Sequence, residues 1–359
     1  MKQHSPELKS RPIQICFLIL FLLTGMLAVM PTVNAANEYD QGDVDVIKNI
    51  METNGLKGNP NNPGGWMFVE WDKSSPRRIV KLFLHDTNLT GDLDVSGLTA
   101  LKDLECFDNR LTSLNASGLT ELKELTCDEN QLTSLDVSGL TALKELGCSQ
   151  NQLTSLDVSG LTALTFLRCD TNQLTNLNVT GATELTHLYI YDNQLTSLDV
   201  SELTKLGYLG CSYNQLTSLD VSGLTALTGL DCRNNQLTSL DVSELTELKN
   251  LDCDNNQLTS LDASGLTELK SLNCSRNQLT SLNVSGSTKL KTLDCSRNQL
   301  TSLDVSDLKK LKNPNFFGNT NLKVTGWPTF KKLQSHIFPL LLGILSVIII
   351  LWIHQNNKK

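Results

Sequence analysis

Aromatic residues are scarce. Phe, Trp and Tyr make up 5% of the 359 residues, while hydrophobic residues of all kinds make up 40%. A core built on large rings is excluded, and leucine has to do the packing. A basic excess is also missing: 30 Lys and Arg face 38 Asp and Glu, for a formal charge of −8. No dense Lys/Arg run occurs outside the termini. This argues against a nucleic-acid partner, whose phosphates call for a basic face. Histidine is limited to five residues. There is no His-rich metal motif, no phosphate-cradling glycine loop and no nucleophile elbow. The acids that do occur fall at regular intervals on what read as solvent-facing strands, with nothing apolar to raise a pKa for acid–base work. No catalytic residue, metal or cofactor is therefore expected, and the chain is not read as an enzyme.

Long apolar runs are confined to the two ends. Ile15 to Met30 follows a polar start carrying Lys2, Lys9 and Arg11, and precedes Val33-Asn-Ala-Ala36. The small residues there are what a signal peptidase reads, so 1–35 is expected to be a cleaved signal peptide; a retained anchor is the alternative. Ile337 to Ile353 is apolar, with Trp352 near one edge and Lys358 and Lys359 beyond it. It reads as a single short transmembrane helix with a basic cytoplasmic tail at 354–359. These two readings make the chain an exported one, anchored in the plasma membrane with the segment between them outside the cell.

What fills that segment is a repeat of 21 residues. One turn runs from Leu143 to Ala163, and equivalent turns start at Ile79, Leu101, Leu122, Leu164, Leu185, Leu206, Leu227, Leu248, Leu269 and Leu290. The first has one extra residue at Gly91-Asp92, and a degenerate turn with a C-terminal cap occupies 311–330. A short fixed period means a solenoid, in which each turn rests on its neighbours. It has no deep central pocket and presents one long face. Each turn is expected to hold a short strand, Glu145–Ser149 for example, with Leu146 and Cys148 on the same side. Leu143, Leu153, Leu156, Val158 and Leu161 complete the inward set. At about 4.8 Å per stacked strand, eleven turns span roughly 50 Å.

Several repeated polar positions read as scaffold. Asn88, Asn109, Asn130, Asn151 and their equivalents to Asn298 follow each strand, where a buried amide can satisfy backbone groups left open by the bend. The Leu-Asp-Val-Ser step reads as turn chemistry, with the acid bonding a nearby amide. Asn115, Asn178 and Asn283 replace the acid at three turns, which weighs against the other reading of Asp199, Asp220 and Asp241 as a cation ladder. Nine of the ten cysteines lie on the period, from Cys106 to Cys295. Their parallel Cβ vectors suit disulfides poorly, their number is odd, and Leu84 and Ile190 replace them at two turns. They read as buried thiols acting as small hydrophobes.

The pattern Leu-x-x-Leu-x-Cys-x-x-Asn-x-Leu-x-x-Leu-Asp-Val-Ser resembles bacterial leucine-rich repeats. It is most similar to the 21-residue, cysteine-ladder branch of the internalins, over roughly 79–322. The resemblance implies an α/β-type repeat, mostly β and turn: a curved right-handed solenoid with a parallel concave sheet that binds a host or surface ligand. Residues 36–78 match the position of an N-terminal cap. There Val44, Ile47, Ile50 and Met51 mark a short helix, and Trp66–Trp71 and Ile79–Leu84 read as two strands. Two features depart from the family. Gly326-Trp-Pro-Thr-Phe330 stands where a Leu-Pro-x-Thr-Gly sorting motif would lie, and there is no room for immunoglobulin-like domains after the repeats.

Ligand contacts are expected where turns differ on the exposed strand face, at the third, fifth, seventh and eighth places of each. Early turns are acidic there, with Asp103, Glu105, Asp108, Glu124, Asp128, Glu129 and Glu145. Middle turns carry Phe166, Arg168, His187, Tyr189, Tyr191, Tyr208 and Tyr213, which include four of the five tyrosines. Late turns mix Arg233, Arg276 and Arg297 with Asp231, Asp252, Asp254 and Asp294. Gly147, Gly210 and Gly229 around the aromatic zone are expected to leave room for an incoming group. Aromatics beside an Arg are common anchors of recognition surfaces, although they also pair across strands for stability. The leading expectation is a monomer that binds a protein ligand on the concave face, in adhesion or host contact. The alternatives are a carbohydrate or cell-wall-glycan binder using the same tyrosines, and a structural envelope protein with no specific ligand.

Overall fold

Leucines spaced for a turn of 21 residues cannot be buried within one turn, so each turn closes its core against the next. The structure is a computed structural model that describes residues 38–327. The expected signal peptide and transmembrane helix lie outside those residues; among the described residues no helix is long and apolar enough to cross a membrane. A twelve-stranded sheet runs the length of the repeats. Its first two strands, Val69–Trp71 and Ile79–Phe83, pair antiparallel, and from Ile79–Phe83 onward every pairing is parallel. On the other side of the coils, short parallel pairs form at the Leu-Asp-Val step, as between Ser155–Asp157 and Asn176–Asn178.

The register is uniform. The central leucines Leu82, Leu104, Leu125, Leu146, Leu167, Leu188, Leu209, Leu230, Leu251, Leu272 and Leu293 are all directly opposite one another. All of them are buried, as are Leu143, Cys148, Leu153, Leu156, Val158 and Leu161 in the reference turn. Since side chains alternate across a strand, the residues flanking each central leucine face out. The fold is therefore the expected solenoid of stacked coils.

The strands are shorter than the expected Glu145–Ser149; the observed one is Glu145–Gly147. The bend beyond the strand is set by the eighth residue of each turn. It has positive φ in every repeat, from Asp108 (55°) through Thr171 (53°) and Tyr213 (54°) to Arg297 (53°). A left-handed residue ends an extended strand, and for β-branched Thr171 it is strained. An amide ladder takes over at the next position. Asn151 Nδ2 donates to the carbonyls of Cys127, Cys148 and Ser149 at 3.0–3.2 Å, and its Oδ1 accepts the Leu132 amide at 2.9 Å. Each asparagine thus ties its own bend to the preceding turn. The ladder runs through Asn109, Asn130, Asn172, Asn193 and onward to Asn319.

Asn88 is not part of it. It is exposed, and in the first turn the ladder position belongs to Thr87, whose Oγ1 donates to the Leu84 carbonyl. Counted from Ile79, Thr87 is the ninth residue of its turn, in line with Asn109, and Asn88 is the tenth; the extra residue of the first turn comes later, at the Gly91–Asp92 irregularity. The acid of the Asp-Val-Ser step behaves as expected: Asp136, Asp199 and Asp241 each accept the amide of the serine two residues on, and Asn115 and Asn283 do the same.

The nine described cysteines are all free and buried. Burial pushes their thiols well up, to about 12 for Cys106. A protonated, solvent-inaccessible thiol is inert. Cys148→Ala should lower stability by about 1–2 kcal/mol through the small void it leaves, as measured by denaturant unfolding. Thiol-alkylating reagents should leave the native repeats unlabelled. Rapid labelling of several ladder cysteines in the folded state would contradict the buried column.

At the N-terminal end, a helix at Gln41–Thr53 covers the first turn. Asp40 caps it, and Val44, Ile47 and Ile50 are buried beneath it. A 3-10 turn at Pro63–Gly65 delays the next strand, which starts at Val69 and not at Trp66. Trp66 is instead buried and stacks against Phe68 and Trp71 at 6.1 Å.

Candidate ligand-binding face

The parallel register sorts the outward residues into columns. The first residue of each strand forms one column: Asp103, Glu124, Glu145, Phe166, His187, Tyr208 and Gly229. The third forms another, in which Arg168 is followed by Tyr189 and Gly210. The variable positions therefore do lie side by side on one sheet surface.

The aromatic residues form a contiguous band across three turns. Phe166 lies 5.5 Å from Tyr189 and 6.1 Å from His187, and Tyr189 lies 4.9 Å from Tyr208, centroid to centroid. Phe166, Tyr189 and Tyr208 are half-buried and His187 is exposed. Burial raises the Tyr208 phenol to about 12. Tyr213 stands apart on the left-handed edge, 53% exposed, with the Arg233 guanidinium 5.9 Å from its ring centroid.

The nearby glycines do not leave room for a ligand. A Cβ on Gly229 would lie 2.8 Å from the Tyr208 ring, and one on Gly210 would lie 3.1 Å from it. A Cβ on Gly147 would collide with the Asp128 carboxylate at 2.5 Å. These glycines let the protein's own neighbouring side chains fold down onto the sheet. The rings therefore stand on a flat surface and not in a cleft, and the binding area they offer is their own upper faces.

Tyr191 and Arg168 belong to a polar cluster that the sequence pattern did not single out, centred on Asp170. Asp170 is 1% exposed. Its carboxylate accepts Ser149 Oγ at 2.8 Å and Arg168 Nε at 3.1 Å. Burial, and then the adjoining Asp170, lift the Tyr191 phenol to about 12. Arg168 is thus already committed to a partner. Asp254, four turns farther, is the centre of a similar cluster with both partners in the following turn, taking Ser275 Oγ at 2.7 Å and Arg276 Nε at 3.0 Å. The available sign was an acid at the seventh place of the turn, with serine at that place in one adjoining turn.

The acidic zone is also less solvated than its spacing suggested. Asp103, Glu124 and Glu145 are directly opposite one another, and like charges so placed repel. Burial, with Glu124 and Glu105 adding to it, pushes Asp103 up to about 6 against the pull of Lys81. Burial likewise raises Asp231 to about 6 although Arg233 opposes it, and it raises Asp128 and Asp252. The expectation that nothing would lift these carboxyls is corrected: neighbouring side chains on the flat sheet cover them. Among the described residues no group of three or more metal-ligating side chains converges.

These shifts set a pH dependence. Asp103 and Asp231 hold protons more tightly folded than at their ordinary value of 3.8. Between that value and about 6 the folded state binds more protons, so stability falls as pH rises through the window. The turn acids act oppositely. Hydrogen bonds from Ser138 and Ser201 lower Asp136 and Asp199, so their stabilisation is present above 3.8 and lost below it. The thermal midpoint should therefore peak near pH ~4, declining towards pH ~3 and falling as pH rises to ~6, where it levels off. A midpoint that rises steadily from pH ~5 to ~7.5 would contradict the burial of these carboxyls.

A family model described as leucine-rich repeats in two copies matches residues 225–267, 246–287 and 267–310. The functional domain of InlJ from Listeria monocytogenes, whose structure includes a cysteine ladder, is 40% identical with a TM-score of 0.65. The match covers 68% of this chain and 55% of that one, so the chain spans about half the relative's length. A leucine-rich-repeat protein of Leptospira interrogans is 29% identical with a TM-score of 0.63, covering 72% of this chain and 70% of its own. An internalin, InlF of Listeria monocytogenes, shares the fold at 21% identity and a TM-score of 0.50, covering 84% and 99%. No curated protein matches the sequence.

Proposed function

Because the chain is a leucine-rich-repeat protein of the internalin-like, cysteine-ladder type, we propose that it is a cell-surface binding protein. It holds a protein ligand on the outward face of its long sheet. On this reading the chain is exported and is held at the membrane by residues 337–353, with the repeats outside. The reading rests on the aromatic band of Phe166, His187, Tyr189 and Tyr208, with exposed Tyr213 beside it. Large, rigid, partly apolar rings on a flat surface are what protein interfaces use as anchors, because little rotamer freedom is lost when they are covered. The acidic turns beside the band favour a ligand with basic groups at one end, which they would steer during approach.

The test replaces Tyr189, Tyr191, Tyr208 and Tyr213 with Thr and measures binding of the protein to cells, purified glycans and wall fragments. Binding to cells should fall by about tenfold or more while the unfolding profile stays cooperative. Loss confined to glycans would replace the protein ligand with a carbohydrate. Unchanged binding everywhere would leave a structural envelope role.

A further inference from the structure

The sheet face accounts for the aromatic band and its acidic neighbours but not for a line of lysines at its margin. The second place of each turn, just before the strand, holds Lys249, Lys270, Lys291 and Lys312 in four successive turns. Their backbones are hydrogen-bonded in register: the amide of Lys270 donates to the Lys249 carbonyl at 2.8 Å, Lys291 to Lys270 at 2.8 Å and Lys312 to Lys291 at 2.7 Å. Four ammonium stems thus leave one edge at the pitch of stacked strands, about 4.8 Å. Lys270, Lys291 and Lys312 are exposed and Lys249 is half-buried. Among the described residues the lysines that form ion pairs are Lys48, Lys81, Lys205 and Lys289, and none of these four. Glu268, the carboxylate that feels Lys249 and Lys270, is held by Lys289.

The same place elsewhere in the chain is different. In the middle turns it holds Thr165, Thr186, Gly207 and Thr228. In the early turns it holds Lys102, Lys123 and Lys144, but each is followed directly by an acid: Asp103, Glu124 and Glu145. In the late turns the following residues are Asn250, Ser271, Thr292 and Asn313, all uncharged. Stacked like charges without counter-charges cost stability. A linear partner carrying anions at a comparable pitch would offset that cost.

We propose that the late lysine column is a second binding site, for a linear anionic polysaccharide lying along the solenoid axis. A single file of cations one strand apart suits a chain with one carboxylate per sugar. It suits duplex nucleic acid less well, since that packs one charge per ~1.7 Å of axis. Single-stranded nucleic acid is held on aromatic stacking platforms; the residues beside these lysines are amides and hydroxyls, which suit sugar hydroxyls. A membrane surface calls for a broad basic area and not a file.

The test uses the full-length chain and polygalacturonate, with the methyl-esterified polymer, oligothymidylate and phosphatidylserine vesicles as the other arms. Polygalacturonate should bind and its esterified form should not. Substituting K249Q, K270Q, K291Q and K312Q together should weaken binding roughly tenfold or more and lower the salt slope by about three to four. The matching Lys→Arg variant should retain binding, which separates lost charge from lost fold. Substituting K102Q, K123Q and K144Q should leave binding within about twofold: among the described residues those lysines are in no ion pair either, but the acid that follows each of them lowers the local positive potential and repels an anionic chain. Equal losses from the early and late sets would overturn the site. So would late-lysine dependence seen only with oligothymidylate or vesicles.

Discussion

Asn235→Ala should destabilise the solenoid by about 2–4 kcal/mol, more than any single leucine-to-valine change in the core. Asn235 Nδ2 donates to the carbonyls of Cys211 and Cys232 at 3.0 Å and to that of Arg233 at 3.3 Å. Its Oδ1 accepts the Leu216 amide at 3.0 Å. The Cys211 and Cys232 carbonyls each retain another ladder asparagine, Asn214 and Asn256. The buried Leu216 amide has no other acceptor among the described residues, and an orphaned buried donor bears its full desolvation cost. Asn235→Asp tests the same idea from the other side. It keeps the acceptor but replaces three donated bonds with a carboxylate facing carbonyl oxygens, so it should be at least as damaging above pH ~6 and milder when protonated. Urea unfolding at two pH values measures both. If Asn235→Asp were tolerated at neutral pH, the ladder would not be a donor array.

That asymmetry also explains how much could be read from the letters. At the Leu-Asp-Val-Ser step Asp and Asn exchange freely because only an oxygen acceptor is used, as Asp241 and Asn283 show. At the ladder only Asn appears from Asn109 onward, because donor and acceptor are both used. Identity across turns therefore marked the scaffold well, including the nine buried cysteines, and leucine periodicity fixed the coil and its outward columns. The errors arose where two turns had to be read together. Asn88 resembles a ladder residue because it stands just before Leu89, but the ninth place counted from Ile79 belongs to Thr87. Gly210 and Gly229 read as open space, but Tyr208 from the same and the adjoining turn covers them. Asp103 read as solvated, although stacking places Glu124 against it. A period reports what one turn looks like; it does not report how far a side chain leans onto the next.

The cap carries the second large effect, and a hydrophobic pattern could not have revealed it. Asp43 sits in the first turn of the N-terminal helix and would ordinarily read as a solvent-facing acid, yet it is fully buried. Its carboxylate takes a two-pronged contact from Arg78, with Nη2 at 2.9 Å and Nε at 3.0 Å, and also the Ile79 amide at 2.7 Å. Ile79 opens the first repeat strand, so this one side chain fastens the helix to the start of the solenoid. Arg78 reaches on to Thr99 Oγ1 at 3.1 Å, joining the far side of the first turn. Asp43→Ala should cost about 3–5 kcal/mol, because it orphans the Ile79 amide and leaves the half-buried Arg78 guanidinium only the longer ionic contact to Asp40, at 3.8 Å. Removing Arg78 as well should recover part of that loss, since the poorly compensated charge goes with it. A solenoid transmits stability only between neighbours, so the loss should be local. Amide exchange should accelerate across the helix and the turns from Ile79 to about Leu122, while the turns beyond Leu248 keep their protection. Uniform acceleration along the whole chain would mean that the repeats unfold as one unit and that the cap has no special hold on their first edge.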